Sequence, residues 1–253
     1  EVLGTRPDGY HELRSVMMPV SLSDRIELEA APGGIELDLD QSELREAPRL
    51  EGEDPRENLA VRAAALLRSE TGYRGGARIG LRKRIPVGGG LGGGSADAAA
   101  VLRGLNELWR TRIPPAGLLE MGGRLGSDVP ALIYGAAVCV EGVGERVTRI
   151  ELEDGGRKGW PLVLANPGIP VSTGDIYGHC SGALTGEAEG YKSIVSAVRK
   201  GDRRAAAGGL FNALQDTVFR KYPLVEMRAE RLADGGALGA MVSVHQATVG
   251  ESA

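Results

Sequence analysis

Six of the seven residues from Gly88 to Gly94 are glycine, with Leu91 the exception, and Ser95 follows directly. Glycine leaves bare main chain where side chains would crowd a ligand, and it adopts backbone angles that other residues avoid. A helical pattern begins at once, with Ala98, Val101, Leu102, Leu105, Leu108 and Trp109 recurring at intervals of three and four to form one apolar stripe. The unpartnered amides at such a helix start, together with the positive end of its dipole, attract anions. Phosphate binding is therefore the chemistry of this stretch. Two further groups could act on a ligand: the carboxylate of Asp128 in the turn Gly126-Ser127-Asp128-Val129-Pro130, and the ring and imidazole of Tyr10-His11. By residue type alone, Asp128 fits a helix cap, and Tyr10-His11 fits a packed ring beside a solvated imidazole.

Other glycine-loop chemistries make demands this chain does not meet. A Walker loop ends in Gly-Lys-Ser/Thr, whereas Gly94 is followed by Ser95 and Ala96. Gly88, Gly90 and Gly93 satisfy G-x-G-x-x-G, but Arg82-Lys83-Arg84-Ile85-Pro86 precedes them in place of a buried apolar strand. Pro86 cannot donate to a central ladder, and the region after Trp109 reads as helix and turn, with no acid-ended strand. A flexible linker would not run directly into an Ala/Leu-rich helix.

The loop must be delivered by other elements, and the pattern supplies them. Ala77, Ile79, Leu81, Lys83 and Ile85 alternate on one face of a strand that enters it. Upstream, Arg6-Pro7-Asp8-Gly9 is a turn between strands, and residues 15–21, 24–30 and 35–39 carry strand patterns that suggest antiparallel pairing. Asp54-Pro55-Arg56-Glu57 starts a helix whose buried face includes Leu59, Ala60, Ala63, Ala64, Leu66 and Leu67, ending at Gly72. Residues 115–125 form a second helix, and residues 136–141 and 143–150 form a hairpin about Gly142. Beyond the polar, Gly-rich segment 153–159, residues 161–165 read as a buried strand and most of 191–234 as helices that supply core.

With 253 residues the chain has room for two ordinary domains, and its net charge of −4 is spread through both halves. No basic stripe is present to bind nucleic acid, so the expected partner is a small molecule. Cys139 and Cys180 form no Cys-x-x-Cys and no His/Cys cluster, and both read as buried thiols. The longest apolar run, residues 129–140, is too short to cross a bilayer, and no signal peptide is visible. The expectation is a cytoplasmic protein without membrane contact, monomer or homodimer. The first residue is Glu1, and the natural N-terminus is expected to lie upstream.

The longer string from Pro86 through Gly88, Gly89, Gly90, Leu91, Gly92, Gly93 and Gly94 to Ser95 resembles the phosphate loop of the galactokinase, homoserine kinase, mevalonate kinase and phosphomevalonate kinase superfamily. Arg6-Pro7-Asp8-Gly9-Tyr10-His11-Glu12-Leu13, Gly126-Ser127-Asp128-Val129-Pro130 and Glu141-Gly142-Val143-Gly144-Glu145 resemble the 4-diphosphocytidyl-2-C-methyl-D-erythritol kinases within it, a likeness that thins after Gly178. The resemblance implies an α+β, two-domain small-molecule kinase fold. Residues 1–154 would be a nucleotide-binding domain resembling ribosomal protein S5, and residues 155–253 a ferredoxin-like α/β domain on the substrate side. It implies transfer of phosphate from ATP, with Mg²⁺, to the 2-hydroxyl of the cytidine-linked substrate. The loop from Pro86 to Ser95 would hold the nucleotide together with Asn58 and Lys83, and Ser95 would be the hydroxyl nearest the metal. Asp128 would be the catalytic base and touch substrate. Tyr10 and Tyr177 would stack on the cytosine, His11 would bond its edge, and Thr173 would contact the substrate.

The chain also departs from the family pattern. A lysine that the family carries on its N-terminal strand has no counterpart here, and Val242-Ser243-Val244-His245 stands where the family has a second glycine-rich loop. Two side-chain-bearing residues there replace glycines that let backbone approach phosphate. Two rivals follow: a related kinase with another acceptor, and a catalytically silent nucleotide-binding homologue.

Overall fold

The computed structural model describes residues 1–7, 11–44, 54–156, 159–169, 171, 176 and 188–243. The chain forms two compact units, one drawing on Glu1–Met18, Ala136–Pro167 and Ser172–Val244, the other mainly on Pro19–Gly135. The sequence-drawn boundary between residues 154 and 155 falls within the first of these.

The Pro19–Gly135 unit is centred on β5 (Gly76–Arg82), which lies between antiparallel β3 (Arg25–Ala31) and parallel β4 (Ile35–Asp40). The expected alternation is realised, since Ala77, Ile79, Leu81, Lys83 and Ile85 are all buried. The antiparallel expectation holds for β3 and fails for β4. A helix joins β4 to β5, and such a crossover returns the chain in the same direction. That helix, α1 (Leu59–Thr71), starts later than expected. Asp54 caps a single 3-10 turn, Pro55–Glu57, after which Asn58 is extended and becomes a second cap, its Oδ1 accepting from Ala60 N at 2.9 Å. Gly72 ends α1 in the left-handed region at φ 64°.

Three more helices complete this unit: α2 (Gly93–Leu108), α3 (Pro115–Leu125) and α4 (Val129–Tyr134). Leu67, Ile79, Leu102, Leu105 and Val129 share its core. The stripe on α2 ends differently from its sequence pattern. Leu108 faces outward, while Trp109, one residue past the helix, takes the inner place and stacks on Tyr73 with ring centroids 4.5 Å apart.

The other unit carries an antiparallel sheet of order β1-β2-β6-β7, made of Val2–Thr5, His11–Met17, Val138–Gly142 and Arg146–Arg149. The hairpin about Gly142 is present, and Gly142 adopts φ 75°. Helix α5 (Ala188–Lys200) lies against β2, burying Val198 with Ala137 and Ile150. Helices α6 (Arg203–Gly208), α7 (Gln215–Lys221) and α8 (Pro223–Asp234) follow. Residues 161–165 form neither a strand nor a buried segment, with Leu162, Val163 and Leu164 58%, 74% and 46% exposed. Three consecutive large apolar residues cannot all face one core, and among the described residues no strand pairs with them. The helices also supply less core than expected, since α8 buries none of its residues and Phe211 is exposed. Cys139 is half-buried, and Cys180 lies outside the described residues.

The architecture is α+β. Among the described residues no helix is long and apolar enough to cross a membrane.

Candidate active site

The glycine loop runs from the end of β5 into α2, and its path depends on left-handed backbone. Gly88, Gly90 and Gly92 adopt φ of 68°, 67° and 65°. Pro86 O accepts from Gly89 N at 3.2 Å, making a turn at the loop's entry. Gly92 is the N-cap of α2 and brings no side chain, so no side-chain hydrogen bond caps this helix. Its first turn, containing Gly93, Gly94 and buried Ser95, therefore faces bare main chain, which is the arrangement that receives phosphate oxygens. Gly93 is also required sterically, since a Cβ there would lie 2.9 Å from Ile85 Cγ2, whereas one on Gly94 would meet Leu59 Cδ1 at an ordinary 3.5 Å.

Asp128 stands at the N-cap position of α4 but does not cap it. Its backbone is helical (φ −86°, ψ −21°), and its carboxylate makes no capping hydrogen bond. The side chain is nonetheless buried. One turn along, Leu132 N donates to Asp128 O at 3.3 Å, and Leu132 Cδ1 lies 3.5 Å from the position a Cβ on Gly92 would occupy. The helix that Asp128 begins thus rests against the end of the glycine loop. The neighbouring Ser127 Oγ is buried without a hydrogen-bond partner. Sequence reading passed over this hydroxyl, which only three-dimensional burial singles out.

Lys83, expected beside the nucleotide, is turned inward, with its Nζ 3.5 Å from where a Cβ on Gly93 would sit. It is 3% exposed, and its Nζ lies 2.5 Å from Asp24 Oδ2 and 2.7 Å from Asp97 Oδ2. A strand alternation that turns a lysine inward demands buried acids to receive it, which was the available signal for Asp24 and Asp97. Burial pushes the Asp97 carboxyl up to about 7; the Lys83 ammonium pulls the other way, and the Asp24 carboxylate adds to the rise. A carboxyl whose folded pKa is raised stabilises the fold fully below its unfolded value, and that contribution is lost as pH climbs through the folded value. Between pH 4 and pH 7 the unfolding free energy should therefore fall more steeply for the native chain than for Asp97→Asn, by about 4 kcal/mol in all. Denaturant titrations at several pH values measure this, and parallel profiles would rule it out.

The remaining expected residues are distributed as follows. Asn58 Oδ1 is engaged as the cap of α1, and the adjacent Leu59 borders the loop at Gly94. His11 opens β2 opposite Thr5. Tyr10, Thr173 and Tyr177 lie outside the described residues, as do Val244 and His245. Val242 is buried, its N donating to Gln215 Oε1 at 3.2 Å and its O accepting from Asn212 Nδ2 at 2.9 Å. Main chain at this position is committed within its own unit.

Residues 58–136 match the family described as GHMP kinases N terminal domain, a span that holds Asn58, the whole loop and Asp128. Over 98% of its length the chain is 42% identical to the 4-diphosphocytidyl-2-C-methyl-D-erythritol kinase of Pelotomaculum thermopropionicum, covering 83% of that protein. The chain belongs to the 4-diphosphocytidyl-2-C-methyl-D-erythritol kinase family. The kinase of the same name from Symbiobacterium thermophilum is 44% identical over 96% of this chain and 82% of its own. A crystal structure of 4-(cytidine 5'-diphospho)-2C-methyl-D-erythritol kinase superposes with TM-score 0.69 at 32% identity, covering 93% of this chain and 78% of that one. As a member of the 4-diphosphocytidyl-2-C-methyl-D-erythritol kinase family, the chain is a small-molecule kinase with the two-domain α+β fold of its relatives.

Proposed function

We propose that this chain transfers the terminal phosphoryl group of ATP to the 2-hydroxyl of 4-diphosphocytidyl-2-C-methyl-D-erythritol, as a cytoplasmic enzyme of isoprenoid precursor synthesis. What carries the reading is one juxtaposition: a side-chain-free loop at the uncapped start of α2, bordered by the helix that begins at a buried, non-capping Asp128. Bare amides between Gly88 and Ser95 receive the phosphates, and Asp128 accepts the proton of the acceptor hydroxyl as its oxygen bonds to phosphorus. Tyr10 and Tyr177 stack on the two faces of the cytosine, His11 bonds its edge, and Thr173 contacts the substrate.

Mg²⁺ fits this site as a companion of the nucleotide. The Ser95 hydroxyl in the first turn of α2 would be the protein's contact with the ion. When bound, the ion neutralises charge on the phosphates.

The test supplies ATP and Mg²⁺ with the cytidine substrate, mevalonate or homoserine in turn and identifies products by mass. Phosphorylation of the cytidine substrate alone, inhibited by CMP, is the expected result. Turnover of mevalonate or homoserine would reassign the acceptor. Bound ATP with no product from any acceptor would establish the catalytically silent homologue that the Val242 main-chain bonds favour.

A further inference from the structure

We infer that Asp24, Lys83 and Asp97 are positioning residues for the phosphate-binding loop, fixing the separation between the strand that enters it and the helix that leaves it. This rests on the assignment of that loop to ATP.

The three side chains join the loop's two ends. Lys83 is the first residue beyond β5, and Asp97 lies on α2, one turn past its start, so the 2.7 Å contact between them spans the loop. Asp24, just ahead of β3, takes the same ammonium on Oδ2 and uses Oδ1 to accept from Arg84 N at 2.5 Å and Ile85 N at 2.8 Å. One carboxylate therefore holds both the lysine and the backbone of the next two residues. The side chains of Lys83, Asp24 and Asp97 are 4%, 3% and 5% exposed, so water cannot replace a lost partner. Removing one member of a buried pair leaves an uncompensated charge, which holds such a cluster to a single geometry.

The ammonium also lies beneath the loop, 3.5 Å from where a Cβ on Gly93 would sit. With Gly88, Gly90 and Gly92 free of side chains, little within the loop stiffens it, and the distance between its ends decides whether its amides converge. A displacement of about 1 Å at such a site is enough to lower ligand affinity by one to two orders of magnitude.

Three variants separate this role from its rivals when Tm, ATP KM, acceptor KM and kcat are measured together. In Asp24→Asn the amide oxygen can stay on Arg84 N and Ile85 N, which turns the NH₂ group against the Lys83 ammonium. ATP KM is expected to rise about tenfold or more, with acceptor KM within about twofold of the native value. Lys83→Met leaves Asp24 and Asp97 without their shared cation and should lower Tm while raising ATP KM. Asp24→Asn/Lys83→Met/Asp97→Leu removes both orphaned carboxylates while the amide at position 24 can keep its bonds to Arg84 N and Ile85 N, so Tm should recover while ATP KM stays high. Recovery of ATP KM together with Tm would reduce the cluster to a structural one and overturn the inference. A native ATP KM in Asp24→Asn beside a raised one in Lys83→Met would overturn it too, making Lys83 a direct nucleotide ligand. Should the native chain bind ATP without turnover, equilibrium ATP Kd replaces KM in every comparison. Should it bind no ATP, the assignment of the loop fails, and the inference with it.

Discussion

An Asp128→Asn enzyme is expected to bind ATP within about twofold of the native affinity while its kcat falls by about 10²–10⁴, the range associated with loss of a general base. The substitution preserves size and removes the carboxylate charge that would take up the transferred proton. It should leave the fold intact, because Asp128 does not cap α4 and the helix loses no capping bond in the exchange. That point separates this carboxylate from an ordinary helix-start aspartate, whose replacement costs about 1 kcal/mol of stability with no loss of turnover. Equilibrium ATP titration beside single-turnover kinetics gives both quantities. A variant that turns over at the native rate would remove Asp128 from the mechanism.

Gly92→Val should act on the opposite partner of the reaction. Gly92 holds φ 65° and ψ 26° at the start of α2, a region costing an L-residue about 1–2 kcal/mol and a β-branched one more. Space is not the obstacle, since a Cβ there would meet Leu132 Cδ1 at an ordinary 3.5 Å. The backbone must rotate instead, carrying the first amides of α2 away from the phosphates. ATP KM should rise by about 10²-fold with the acceptor KM little changed. Gly123→Ala is the matched control, because Gly123 sits within α3 with nothing inside 4 Å of a new Cβ and should gain helix stability without touching nucleotide affinity. Equal ATP KM values for the two variants would sever the loop from nucleotide binding.

How far the chain could be read beforehand depended on whether each signal was local. Alternation at Ala77, Ile79 and Leu81 marked a half-buried strand, and α3 has the bounds that Pro115 and its following apolar spacing dictate, because both patterns lie within one element. The parallel pairing of β4 with β5 was not legible, since neighbour identity in a sheet is set by a crossover and not by either strand's own residues. Residues 161–165 misled for a related reason. Apolar content indicates a strand only where a partner exists, and Val163 stands exposed. At the site, the glycine run and Asp128 were visible as motifs, whereas Asp24 became visible only once folding set it beside Lys83, 59 positions away in sequence. The unpartnered Ser127 hydroxyl belongs to the same class, being defined by what surrounds it.

The pairing of β2 with β6 sets an order on synthesis. Leu13 bonds across to Gly142, so no ribosome can close that sheet until the intervening chain has been made. Everything that builds β3, β5, β4 and the four helices around them lies within Pro19–Gly135 and is already available by then. The nascent glycine loop can mature while β2, already joined to β1, still waits for β6, and during that interval the free edge of β2 stands open to any other strand it meets.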